Sequence, residues 1–101
     1  MPLHHNVFFS LKDDSPEKIE SLLGAIDKYL THHDGVLHCS GGKLVSDLAR
    51  PVNDHDFQVG LNVIFETREQ HDVYQTAERH LQFINEQKEN WDKVRVFDYQ
   101  S

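Results

Sequence analysis

The amino-acid sequence predicts an α+β domain whose elements run β-α-β-β-α-β, a four-stranded antiparallel sheet with both helices on one face. Three observations lead there. Apolar and polar residues alternate along Leu3–Lys12, Phe57–Glu66 and Val94–Tyr99; two stretches between them carry apolar residues at helical spacing; and a helix-start signal precedes each of those stretches. With 101 residues the chain can bury one core, so residues 1–101 are read as a single domain.

The first strand places Leu3, His5, Val7, Phe9 and Leu11 on one face and His4, Asn6, Phe8, Ser10 and Lys12 on the other. Ser15-Pro16-Glu17 then supplies an N-cap, a proline suited to the first helical position and an early acid. Ile19, Leu22, Leu23, Ile26 and Leu30 form the apolar stripe of a helix from about Pro16 to about Thr31. Asp34-Gly35 ends it, and Val36-Leu37-His38-Cys39 opens a second strand that is expected to stop at Gly41-Gly42. Leu44 to Asp56 reads as a long irregular connection.

The third strand, from Phe57, sets Phe57, Val59, Leu61, Val63 and Phe65 against Gln58, Gly60, Asn62, Ile64 and Glu66. Thr67 with Gln70 three residues on is a capping box, so one helix is expected to run from there to about Lys88. Its inner stripe is read as Val73, Ala77, His80, Leu81 and Ile84, with Tyr74 beside it. The last strand turns Val94, Val96 and Asp98 one way and Arg95, Phe97 and Tyr99 the other. Packing the fully apolar strand faces under the helices leaves Phe8, Ile64, Phe97 and Tyr99 on the open face. That surface is apolar enough to predict that a second copy of the chain covers it.

A formal charge of −7, from 10 basic and 17 acidic side chains, argues against nucleic acid and against an anionic membrane surface as partners. Protonating the 8 histidines would bring the charge to +1, so solubility is expected to depend on pH. The lone Cys39 supplies no disulfide and reads as a small buried hydrophobe in a reducing compartment. Met-Pro-Leu-His-His-Asn carries neither a basic segment nor an apolar run of the kind a secretory signal needs, and the cytoplasm is the expected location.

His5-Asn6-Val7-Phe8-Phe9-Ser10-Leu11-Lys12-Asp13, Gly35-Val36-Leu37, Val63-Ile64-Phe65-Glu66, Tyr74 followed by His80, and Val96-Phe97-Asp98-Tyr99 together resemble the stress-responsive A/B barrel domain family, part of the dimeric α+β barrel superfamily. The resemblance covers nearly the whole chain. It implies a ferredoxin-like domain whose sheet pairs with a second copy into a barrel. Members include stress-induced proteins without known catalysis and some plant polyketide cyclases. In the cyclase-like members a cavity lies between sheet and helices, and a histidine near the start of the first strand faces a tyrosine and a histidine of the second helix; His5, Tyr74 and His80 stand at those places. The family's frequent His-Pro-x-His segment reads Ala77-Glu78-Arg79-His80 here, and a further histidine of the cyclases corresponds to Val59.

His5, Tyr74 and His80 have two readings. An imidazole can take a proton alpha to a carbonyl while a phenol hydrogen-bonds the developing enolate, the minimum set for an aldol or cyclisation step that needs no metal or other cofactor. Alternatively the three are buried structural residues. Val7, Phe9, Val59, Trp91, Val94 and Val96 are the expected apolar lining, so binding of a small apolar or aromatic ligand is the leading reading. A cyclase or aldol-type enzyme, or a cofactor-free monooxygenase, is the alternative.

His32-His33-Asp34 and Asp54-His55-Asp56 lack metal-ligand spacing and are read as helix C-terminal cations and a solvated loop. Gly41-Gly42 has no following helix or GK[ST] and is read as a turn; Asp98 is expected to meet an arginine or tyrosine at a dimer seam.

Overall fold

A computed structural model describes all 101 residues. In chain order the elements are β1 (Leu3–Leu11), α1 (Pro16–Leu30), β2 (Val36–Lys43), β3 (Val59–Phe65), α2 (Arg68–Thr76), α3 (Glu78–Gln87), a short 3-10 turn (Lys88–Asn90) and β4 (Trp91–Gln100). The strands form one antiparallel sheet ordered β2-β3-β1-β4. This is the expected α+β architecture, with β1 central between β3 and β4.

Local chemistry starts α1 as expected, with Ser15 accepting a hydrogen bond from the Lys18 backbone N–H at 3.4 Å and Pro16 in the first turn. Leu22, Ala25, Ile26 and Leu30 of this helix pack against Phe9 of β1 and Val59, Leu61, Val63 and Phe65 of β3. Gly35 closes the following turn at φ +79°, and a side chain there would also strike Gln70, whose nearest atoms lie 2.4 Å from the Cβ position. That close approach, with the Glu66 N–H bonded to the Gly35 carbonyl at 2.8 Å, fixes where α2 leaves the sheet.

Two expectations need correction. Gly41 and Gly42 do not end β2 but pair within it, opposite Leu61 and Gly60. A Cβ at Gly41 would lie 3.0 Å from the Ile26 side chain, so the residue is small because α1 crosses there. The second helix is also not continuous. Ala77 adopts an extended conformation (ψ 141°) that caps α2 and opens α3. The break turns α3 so that His80, Phe83 and Gln87 are buried while Leu81, expected inside, is exposed; Val73, also expected inside, lies on α2 before the break and is exposed as well.

The open sheet face presents Phe97 and Tyr99 at more than half exposure, with Phe8 and Ile64 half-buried beside them. The connection between β2 and β3 folds over one end of this face. There Val45, Leu48 and Phe57 join Phe8 and Phe97 around a cleft of about 410 Å³; Phe57, expected on the inward face with Val59, precedes β3 and packs on the open face against Phe8 instead. Ion pairs from Asp54 to Arg95 (2.8 Å) and from Asp56 to Lys93 tie the loop to β4.

Candidate functional site

The register of the sheet assembles the site. His5 on β1 lies directly across from Asp98 on β4, and both side chains are on the helix-covered side. The His5 Nδ1 stands 2.5 Å from the Asp98 carboxylate. An ionised carboxylate only accepts, so Nδ1 carries the proton and Nε2 keeps its lone pair. This replaces the expectation that Asp98 serves a dimer seam with an arginine or tyrosine. The 93 residues separating the two in sequence hid a pairing that only the β1–β4 register creates.

The helices bring in the other two residues. Tyr74 comes from the last turns of α2 and His80 from the first turn of α3. Their rings lie 4.6 Å apart, and the Tyr74 ring also packs 6.3 Å from His5 and 4.9 Å from Phe65. The break at Ala77 is what sets this geometry, since it reorients α3 between the two residues. The structure thus gathers His5, Tyr74 and His80 at one place.

Burial dominates the electrostatics. Desolvation holds both His5 and His80 below the ordinary histidine range; at His5 the Asp98 carboxylate pulls the other way but less strongly. Both imidazoles are neutral near pH 7. Burial also pushes the Tyr74 phenol well above its ordinary range, so it remains a hydrogen-bond donor. Tyr74 Oη, His80 Nδ1 and Trp91 Nε1 are buried without a well-aligned hydrogen bond in the protein, and at His80 the nearby Gln75 backbone works against desolvation by favouring the charged form. Leaving such groups unpaired costs on the order of 1–3 kcal/mol each, so each calls for a partner in the adjoining cavity, a water or a ligand.

All three residues line one cavity of about 150 Å³ between the sheet and the helices, together with His5. Of the expected apolar lining, Val7, Phe9, Trp91, Val94 and Val96 border it, whereas Val59 is fully buried in the core beside it. Leu30, Leu61, Gln75, Phe83 and Ile84 complete the wall. Phe83 escaped sequence reading because the continuous helix it assumed pointed Leu81 inward instead.

His71 also went unremarked. It sits one turn into α2 with its ring 5.0 Å from that of His5, and the capping box at Thr67 was the signal that could have placed it there. The two histidine-acid runs are occupied elsewhere: His33 meets the Tyr29 carbonyl at 2.7 Å and His55 the Leu48 carbonyl at 2.8 Å.

Comparison with known proteins gives a consistent result. The family model described as the stress responsive A/B barrel domain matches residues 3–101. A Dabb family protein with a ferredoxin-like fold from Mesorhizobium loti superposes with a TM-score of 0.81 at 22% identity, covering 99% of this chain and 96% of that one. A dimeric ferredoxin-like protein of unknown function from Thermobifida fusca gives 0.83 at 12% identity, over 100% and 92%. A hydroxynitrile lyase from Passiflora edulis gives 0.76 at 19% identity, over 97% and 91%. At these identities the likeness is one of fold. No curated protein shows significant sequence similarity to the chain.

Proposed function

The chain belongs to the stress responsive A/B barrel domain family, and from that premise we propose a homodimer whose helix-side cavity binds a small, largely apolar compound carrying a carbonyl oxygen. The observation that carries this reading is the set of unpaired buried polar atoms on residues that line one apolar cavity, which a small side-chain shift would bring to a ligand. Tyr74 Oη–H and Trp91 Nε1–H are donors, which suits an oxygen acceptor. About 150 Å³ admits a ligand near the size of a single aromatic ring. The apolar open sheet face and the dimeric state of the Thermobifida fusca neighbour support pairing of two sheets.

The His5–Asp98 pair favours a second, catalytic reading at the same place. Neutral His5 would take a proton alpha to the carbonyl at Nε2, and Asp98 would stabilise the imidazolium. Tyr74 would donate its hydroxyl hydrogen bond to the oxygen as it gains charge. The resulting carbanion could close an aldol or cyclisation bond, with His5 returning its proton to the new alkoxide. The hydroxynitrile lyase of the same fold supports carbonyl chemistry as the class to test.

We further place the protein in the cytoplasm. Cys39, the single cysteine, has no second cysteine with which to form an internal disulfide, which fits a reducing compartment. No helix is long and apolar enough to cross a membrane.

Trp91 is the only tryptophan and lines the cavity, so its fluorescence reports occupancy. Titration with acetophenone should give a saturable change, and ethylbenzene, which lacks the oxygen, should bind more weakly. Tyr74→Phe should shrink that difference. No saturable change with either compound would overturn the binding reading, and equal affinities would remove the carbonyl from it.

A further inference from the structure

We propose that His5, His71 and Asp98 form a binding site for a divalent transition metal of the zinc class, on the side of His5 that faces away from the ligand cavity. The three residues come from β1, α2 and β4, and one donor atom from each lies within 4.8 Å of the other two. Two imidazoles and one carboxylate are a donor set of borderline softness, which favours Zn²⁺ and its neighbours over Mg²⁺ or Ca²⁺.

The access route is separate from the cavity. His71 and Asp98 border an open cleft of about 350 Å³ that also holds Asp72 and Arg68. Asp72, 3.1 Å from His71 Nδ1, adds a second carboxylate at the rim. Arg68 is the one arginine or lysine side chain there. His5 forms the shared wall, bordering the cavity on one side and meeting His71 edge-on on the other.

Little has to move. Metal bonds of about 2.0–2.1 Å at a tetrahedral angle set neighbouring donors roughly 3.3 Å apart. Donors now within 4.8 Å must therefore draw in by no more than about 1.5 Å, while the His5–Asp98 contact of 2.5 Å must open slightly. The Asp98 side chain is 42% exposed on an edge strand and has room to swing. The metal would take the place of the proton that His5 and Asp98 now share. Three protein ligands leave a fourth position for water or substrate, as in open zinc sites.

This inference goes beyond the ligand-binding reading and can fail independently of it. The test is calorimetric titration of the chelator-treated full chain with ZnCl₂, repeated on His71→Ala and Asp98→Asn, with circular dichroism to verify the fold. His71 packs its ring on Phe65 and meets Gln75 of the cavity wall at 3.2 Å, so a His71→Gln variant, which keeps a polar side chain toward Gln75, accompanies His71→Ala, and both should fold and keep the acetophenone response of Trp91. The expected result is saturable binding at one Zn²⁺ per chain, weakened at least about tenfold in each variant. A His32→Ala/His33→Ala double variant should bind as the wild type does. Absence of saturable binding, or unchanged affinity in His71→Ala, would overturn the proposal. A loss confined to the His32/His33 variant would assign the metal to the end of α1 and overturn it equally.

Discussion

The two faces of the sheet differ in what they leave unfinished. On the helix side, Val7, Phe9, Val59, Leu61, Val63 and Phe65 are almost wholly buried, and the unsatisfied groups are polar: Tyr74 Oη, His80 Nδ1 and Trp91 Nε1. On the open side the balance reverses. Asn6 and Asn62 hydrogen-bond each other at 2.7 Å and Asn6 reaches the Phe97 carbonyl at 3.1 Å, while Phe97 and Tyr99 stay exposed. Unpaired donors inside an apolar wall ask for a small molecule, whereas exposed aromatics above satisfied polar groups ask for another surface. On the proposed reading, one face carries chemistry and the other assembly.

The sharpest way to break this contrast is to truncate one aromatic on each face. Phe9→Ala removes a 2% exposed ring packed against Phe83 and Trp91 and should cost about 3–5 kcal/mol in urea denaturation. Phe97→Glu should spare monomer stability and shift the molecule from dimer to monomer in sedimentation velocity. If Phe97→Glu remains dimeric, the open face is not the interface.

A smaller effect separates stability from binding within the helix side. Tyr74→Phe deletes a hydroxyl that has no partner, so the melting temperature should hold or rise slightly while carbonyl binding weakens. A clear loss of stability would mean that the hydroxyl has a structural partner.

Acidification probes the same buried cluster. The folded-state pKa values of His5 and His80 lie below the unfolded value near 6.5, so the folded chain binds fewer protons than the unfolded one. The stability these neutral imidazoles contribute is present above pH 6.5 and declines as pH falls from there through their folded values. Melting curves between about pH 7.5 and 5 should show this slope, and His80→Phe should reduce it. A purely local change is expected at a helix start: Ser15→Ala should cost about 1 kcal/mol, with no effect on either face.

Much of this was legible from local pattern. Alternation identified three of the strands and the inward parity of β1 and β3, because a strand turns successive side chains to opposite faces whatever lies beside it. Ser15-Pro16 and Thr67 marked the helix starts because a cap acts on backbone groups only a few residues away. The break at Ala77 was harder, since no glycine or proline stands there. The signal was indirect: the proline of the family's His-Pro-x-His segment falls at Glu78, the first residue of α3, where proline is favoured. Losing that proline hid the break without removing it.

What the sequence determined by itself was therefore the order of the strands and of the two helical stretches, the inward faces of β1 and β3 and the starts of α1 and α2, all set by interactions spanning a few residues. Tertiary structure alone decided the rest of the site. The His5–Asp98 bond depends on the β1–β4 register, the burial of Phe83 on the turn of α3, and the approach of His71 on where α2 docks. Each joins groups distant along the chain or reorients a whole element, and the free energy that decides it lies in packing between elements rather than in any residue's own preference.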